Sequence, residues 1–178
     1  MASWGISAQR LRVPIGTALG ITFLILMHPS LRSLWIGGCV ALMGSMIRVW
    51  ASGHLEKGRV LARGGPYAHT RNPLYLGSFL MALGVLLAGQ GYWLLIPFGI
   101  FFAAFYYPVM KQEEQELLQG HGEEFTAYFR RVPPFLPRLS ASTDYPSEFL
   151  WGRVFRNREH RTVAGLVLAL AFLLWRAI

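Results

Sequence analysis

Apolar positions gather into five runs, residues 13–27, 34–51, 74–88, 92–110 and 163–175, separated by stretches rich in Arg, Gly, Pro and Glu. Several runs fall short of the roughly 20 residues that a perpendicular membrane span needs unless flanking residues are counted in. The pattern predicts an all-α chain, a polytopic bundle of about five transmembrane helices. Spans three and four form an antiparallel hairpin about Gly89-Gln90-Gly91, and Pro97 and Pro108 are expected to kink span four. Residues 1–12 are expected as a short tail. Gly16 and Gly20 in span one stand at the spacing that permits close helix contact, and Gly37, Gly38, Gly44 and Ser45 supply small residues in span two, read as packing within the chain. Trp35 and Trp50, near the two ends of span two, suit interfacial aromatic belts.

Composition turns the helical reading into a membrane one. Hydrophobic residues make up 53% of the 178 and charged residues only 15%, far from an ordinary soluble domain. Arg10 and Arg12 precede an apolar run as in a signal peptide, but Met27-His28-Pro29-Ser30 offers no small-x-small cleavage site, so the run is expected to be retained. The lone Cys39 excludes a disulfide framework and reads as a packing residue.

A net charge of +8 could point to nucleic acid, but its distribution argues otherwise. Arg10 and Arg12 precede span one. Lys57, Arg59, Arg63 and Arg71 lie between spans two and three, and Lys111, Arg130, Arg131, Arg138, Arg153, Arg156, Arg158 and Arg161 follow span four. Arg32 falls in the opposite loop. The positive-inside rule therefore predicts a cytoplasmic N-terminus, two cytoplasmic polar loops and an outside C-terminus. The charge reads as topology, with attraction to anionic headgroups as a by-product.

Between spans two and three runs Gly64-Gly65-Pro66-Tyr67-Ala68-His69-Thr70-Arg71-Asn72-Pro73-Leu74-Tyr75-Leu76-Gly77. Asn72 as N-cap and Pro73 at the first helical position predict a helix start. Tyr67, Arg71 and the capping turn make a seat for a carboxylate or phosphate. The bland alternative is a plain cap with Arg71 as a membrane anchor. Counting from Gln90, Arg71 lies roughly 28 Å back along one helix and Glu113 roughly 34 Å forward along the other, so the two stretches meet at one membrane surface with Glu113 facing the Arg71 cap. Glu116, Glu123 and Glu124 read as a solvated helix end. The segment Val132-Pro133-Pro134-Phe135-Leu136-Pro137 is extended and able to fold back as a lid. Residues 140–162 interleave Phe149, Trp151 and Phe155 with arginines, suiting either a helix in the headgroup layer or a linker packed on the cytoplasmic face. His28, His54, His69, His121 and His160 are scattered, and no metal-ligand spacing occurs, so no metal site is expected.

Taken together, Gly65-Pro66-Tyr67, Arg71-Asn72-Pro73-x-Tyr75-x-Gly77, Glu113-Glu114-x-x-Leu117, Gly122-x-x-Phe125-x-x-Tyr128 and Val132-Pro133 resemble the isoprenylcysteine carboxyl methyltransferase family and its phospholipid N-methyltransferase relatives. The resemblance covers residues 50–137 in order. It implies one integral membrane enzyme unit over residues 1–178, with 138–178 adding an interfacial segment and a last helix. It also implies S-adenosylmethionine bound in a cytoplasmic-side pocket and a lipophilic or lipid-modified acceptor arriving from the bilayer. Carried over by position, Tyr67, Asn72, Pro73, Leu74, Tyr75 and Glu113 contact the cofactor, and Arg59, Val60, Leu61 and Ala62 align with a further contacting strip. The cofactor's carboxylate suits Arg71 or the helix cap, its ammonium and ribose hydroxyls suit Glu113, and tyrosine rings suit its adenine. Glu114 is a candidate base for an amine acceptor, and Arg71 is a second candidate catalytic residue.

Two departures shift the expected acceptor. Asn72 stands where the carboxyl methyltransferases have histidine, and Val109 where they have the arginine thought to hold an acceptor carboxylate. The chain is closer to the phospholipid branch at Asn72. Two other readings stay open on the sequence: a nicotinamide-dependent membrane reductase, resembling the sterol reductases, and a non-catalytic membrane protein.

Overall fold

Two helices without bulky side chains on their shared face form the tightest contact. α2 (Leu31–His54) and α3 (Pro73–Ala88) approach along Gly37, Ala41 and Gly44 on one side and Gly77, Gly84 and Ala88 on the other. A Cβ added at Gly44 would stand 2.6 Å from the carbonyl oxygen of Gly77, and one at Gly84 would stand 2.6 Å from that of Gly37. Only hydrogen fits at such a backbone-to-backbone crossing, as the small-residue reading of span two expects. Ser30 opens α2 with a reciprocal capping box to Ser33. The Ser33 hydroxyl also donates to the carbonyl oxygen of Ala88 at 2.7 Å, pinning the start of α2 to the end of α3.

The computed structural model describes residues 2–56, 60–141, 145 and 147–178; Lys57 and Arg59, and the side chains of Arg10 and Arg12, lie outside this description. All described secondary structure is helical. The remaining helices are α1 (Ala2–Leu26), α4 (Leu95–Arg131), α5 (Trp151–Arg156) and α6 (Glu159–Ala177), with single 3-10 turns at Gly65–Ala68 and Tyr92–Leu94. Leu31–His54, Tyr92–Arg131 and Glu159–Ala177 are long and apolar enough to cross a membrane, and Pro14–Leu26 and Pro73–Ala88 are shorter apolar helices. The five expected helices are thus all present. Residues 2–12, expected as a tail, continue α1 instead.

The backbone of α4 leaves helical φ/ψ at neither proline. Pro97 falls in the first turn, where a missing N–H costs nothing, and Pro108 is carried inside the helix. The backbone leaves helical values at Gly122, with φ 50° and ψ −120°, a region open to glycine. Gly16 and Gly20 also depart from expectation. A Cβ at Gly16 would meet only the ring of Phe101, and nothing lies within 4 Å at Gly20. Gly16 thus sits against a side chain of α4 without a backbone-to-backbone crossing, and Gly20 faces open space in the bundle.

The bundle is closed at both ends. At one end Met27, Leu86, Ala88, Leu94 and Leu173 form a buried cluster. There Arg176 donates to the carbonyl oxygens of Leu24 and Ile25, at 3.0 and 2.6 Å, satisfying acceptors that the end of α1 leaves open. At the other end Asn157 donates to the carbonyl oxygens of Ser52 and Leu55, doing the same for α2. The segment read as either a headgroup-layer helix or a packed linker holds α5, which buries Val154 and leaves the rings of Trp151 and Phe155 exposed.

Candidate active site

The loop from α2 to α3 is held from both flanks. Leu61 is buried with Phe125, Tyr128 and Val132, whereas Val60 is exposed and Ala62 half-buried. Gly65 takes φ +57°, and the ring of His54 fills the place of its missing Cβ, which would lie 2.6 Å from the ring. The turn that follows buries Tyr67, whose carbonyl oxygen accepts from the Tyr128 hydroxyl at 2.8 Å. Burial pushes the Tyr67 phenol well above its ordinary range, and Tyr128, Glu113 and Glu159 add to this while Arg48 opposes it. The phenol stays protonated, a donor rather than a base.

Residues 132–138 fold back over this loop, as the extended segment suggests. The Arg71 N–H donates to the Pro133 carbonyl oxygen at 2.9 Å, Thr70 Oγ1 to that of Phe135 at 3.0 Å, and the Arg138 N–H to that of His69 at 3.0 Å. Phe135 seats its ring against Phe79 and Phe102. The strap also changes the role of Asn72. α3 does begin at Pro73, but the Asn72 side chain makes no capping bond and its Nδ2 donates to the Pro134 carbonyl oxygen at 2.8 Å. The bond to the strap fixes the orientation of the amide, and its Oδ1 caps no N–H of α3.

Both motif stretches meet, with the acidic pair in the other order from that expected. Glu114, not Glu113, faces Arg71, at 3.1 Å from Nη2. Glu113 accepts from the Tyr75 hydroxyl at 2.6 Å. Consecutive helical residues point about 100° apart, so only one carboxylate of the pair can address Arg71, and the rotation of α4 selects the second. The Arg71 side chain is buried, with its guanidinium 3.7 Å from the centroid of the Phe129 ring. Burial pulls its pKa down and Glu114 pulls the other way. Lys111 takes the second oxygen of Glu114 at 3.0 Å. Arg71 Nε remains buried here without a hydrogen-bond partner.

Removing Arg71 would leave Glu114 buried with Lys111 alone. Arg71→Gln is therefore expected to destabilise by about 2–3 kcal/mol, and Arg71→Gln/Glu114→Gln to recover at least half of that loss. Thermal denaturation in detergent measures both; a double variant no more stable than the single would contradict the pairing.

Beside Tyr75 an apolar cavity of about 450 Å³ opens between α1, α3, α4 and α6, its walls including Gly16, Gly20, Ser78, Phe102, Tyr106 and Thr162. Tyr106 connects it to the polar cluster, touching Tyr75 edge to face at 5.6 Å between ring centroids. Among the described residues, no Asp, Glu, Lys, Arg or His side chain lines it.

The candidate site thus gathers Tyr67, Arg71, Asn72, Pro73, Leu74, Tyr75, Glu113 and Glu114 around the two motif stretches. Leu61 serves the packing behind it, and Arg59 lies outside the described residues. Sequence reading passed over Arg48, the one cation inside an apolar run, and its partner Glu159. The signal was available, since an ionisable residue within a span implies a partner. Among the described residues no three His, Cys, Asp or Glu side chains are placed to hold a metal ion.

A family model for phospholipid methyltransferase matches residues 33–123, slightly more than half of the chain. The nickel-cobalt-cadmium resistance protein NccN of Alcaligenes xylosoxydans xylosoxydans is 32% identical over 109 residues, 60% of this chain and 51% of that protein. The cobalt-zinc-cadmium resistance protein CzcN of Cupriavidus metallidurans is 32% identical over 106 residues, 58% of this chain and 47% of that protein. The matched stretches thus span about half the length of these curated relatives. No solved structure matches the chain.

Proposed function

The chain belongs to the phospholipid methyltransferase family, and from that premise we propose that it is a membrane enzyme transferring the methyl group of S-adenosylmethionine to a lipid-like acceptor. The observation that carries this reading is the closure of the two motif stretches, Tyr75 on Glu113 and Arg71 on Glu114, beside an apolar cavity among membrane helices. The residues fit the cofactor's chemistry. Arg71 Nε is a buried donor awaiting an acceptor, suited to a carboxylate. Tyr67 and Tyr75 supply rings for a purine, and Glu113 a carboxylate for an ammonium or ribose.

When bound, the cofactor supplies an electrophilic methyl on a sulfonium. The protein's own work is then to align the acceptor and keep water out. The strap of residues 132–138 excludes water over the loop, and the cavity takes the acceptor's apolar part. Glu114 is the proposed base for an amine acceptor; with one oxygen on Arg71 and the other on Lys111, it must release one cation before it takes a proton. The basic loops support a cytoplasmic setting for this end of the bundle. Metal resistance, in the names of the two relatives, offers a physiological setting in which to search for the acceptor.

Calorimetry of S-adenosylmethionine against the detergent-purified protein tests the reading, followed by transfer of labelled methyl to a lipid extract. Saturable binding and label in the organic phase are expected. A folded protein that binds no S-adenosylmethionine would overturn it, and binding of a nicotinamide nucleotide would turn the reading toward a reductase.

A further inference from the structure

Arg48 stands in α2, where a guanidinium among apolar residues is costly unless paired. Its partner is Glu159, the first residue of α6, and the two side chains are only 17% and 6% exposed. They meet as a fork, Nε donating to Oε2 at 3.0 Å and Nη2 to Oε1 at 2.7 Å. The third nitrogen, Nη1, donates to the carbonyl oxygen of Leu74 at 3.2 Å and to Ser78 Oγ. One planar group therefore ties α2, the first turns of α3 and the start of α6.

Gly77 makes the tie possible. A Cβ there would stand 2.5 Å from Arg48 Cγ, so the glycine that ends the Asn72-Pro73-x-Tyr75-x-Gly77 run is the socket for the arginine stem. The carbonyl that Arg48 grips belongs to Leu74, immediately before Tyr75, whose hydroxyl reaches Glu113. Arg48 and Glu159 also both act electrostatically on the buried phenol of Tyr67. α6, which lies outside residues 33–123 matched by the family, is in this way joined to the residues proposed to hold the cofactor.

We propose that the Arg48–Glu159 pair is a positioning element of the cofactor site, setting the first turn of α3 and making α6 part of the methyl-transfer unit. The inference rests on the methyltransferase reading. Neither residue is proposed to touch the cofactor. A buried pair can be removed as a unit with little loss of fold, whereas breaking it leaves a charge stranded. That difference separates positioning from mere stability.

The test measures the thermal midpoint and the Kd for S-adenosylmethionine of four proteins: wild type, Glu159→Gln, Arg48→Lys and Arg48→Gln/Glu159→Gln. Glu159→Gln is expected to lower the midpoint and weaken binding by about tenfold or more, since small misplacements in such sites are costly. Lysine keeps the charge but lacks the fork that spans Glu159 and Leu74 together, so Arg48→Lys is expected to weaken binding about fivefold. The double variant is expected to recover the midpoint without recovering the affinity. A double variant that binds like wild type would overturn the proposal, showing a pair that only stabilises. Should Glu159→Gln fail to fold, unchanged affinity in Arg48→Lys and the double variant would overturn it equally. Failure of folded wild type to bind removes the methyltransferase reading and this inference together; wild-type binding with unaffected variants removes the inference alone.

Discussion

Glu113→Gln is expected to weaken S-adenosylmethionine binding by about a hundredfold, and Glu123→Gln by less than about twofold. The contrast follows from what each carboxylate meets. Glu113 accepts a 2.6 Å hydrogen bond from Tyr75, a contact that joins the end of one motif to the start of the other across the helical hairpin. Hydrogen bonds to a charged group contribute about 1.5–3 kcal/mol, and a carboxylate that also serves a cationic ligand loses both contacts when neutralised. Glu123 is exposed and follows the break at Gly122, and none of the contacts that build the site involves it. Tyr75→Phe isolates the hydroxyl and is expected to cost about tenfold; Tyr75→Ala costs more, because it also removes the ring packed on Tyr106. Calorimetry on the four variants decides the matter. Equal effects from Glu113→Gln, Tyr75→Ala and Glu123→Gln would remove Glu113 and Tyr75 from the cofactor site.

The helices were legible because membrane burial writes itself into continuous apolarity, and the motif ends were legible because Pro73 and the Gly89-Gln90-Gly91 turn constrain the backbone locally. α3 begins at Pro73 and ends at Ala88, as the apolar run and its flanking proline suggest. What escaped depends on partners distant in sequence. Asn72 has every local attribute of a cap, yet its amide answers a carbonyl 62 residues away. The choice between Glu113 and Glu114 is a rotation of α4 about its own axis, and one residue of register carries no signal in a run that is polar on all sides. Pro108 reads as a kink by local rules, and the break came at Gly122, where nothing but a glycine announced it. Arg48 and Glu159 are 111 residues apart, and neither lies within the motif that they support. The same holds for the cavity, whose walls include Gly16 beside the Phe101 ring and Gly20 beside open space. Sequence patterns reveal which faces are apolar, while the matching of faces decides where a void remains.

A second large effect concerns the seam on which the site is mounted. Gly84→Val is expected to destabilise the protein by about 3 kcal/mol or more, lowering its thermal midpoint by roughly 10 °C, and to abolish cofactor binding. The added Cβ would stand 2.6 Å from the Gly37 carbonyl oxygen and press on the backbone of Ala41. Both neighbours are main chain within α2, so neither can rotate aside, and the helices must separate. Separation carries a functional penalty because α3 bears Tyr75 at its first turn and α2 bears Arg48, and the bond from Arg48 to the Leu74 carbonyl spans the same interface. Gly38→Val is the matched control. It changes the next residue of α2, nothing lies within 4 Å of the added carbon, and valine is a slightly better helix former than glycine, so the midpoint is expected to move by less than about 0.5 kcal/mol equivalent. Circular dichroism melts in detergent, with calorimetric binding on the folded fractions, measure both. Equal midpoints for the two variants would mean that α2 and α3 do not pack along Gly37, Gly44, Gly77 and Gly84. A destabilised Gly84→Val that still binds S-adenosylmethionine normally would separate the seam from the site, and would show that the first turn of α3 is held by the strap and Glu113 without help from α2.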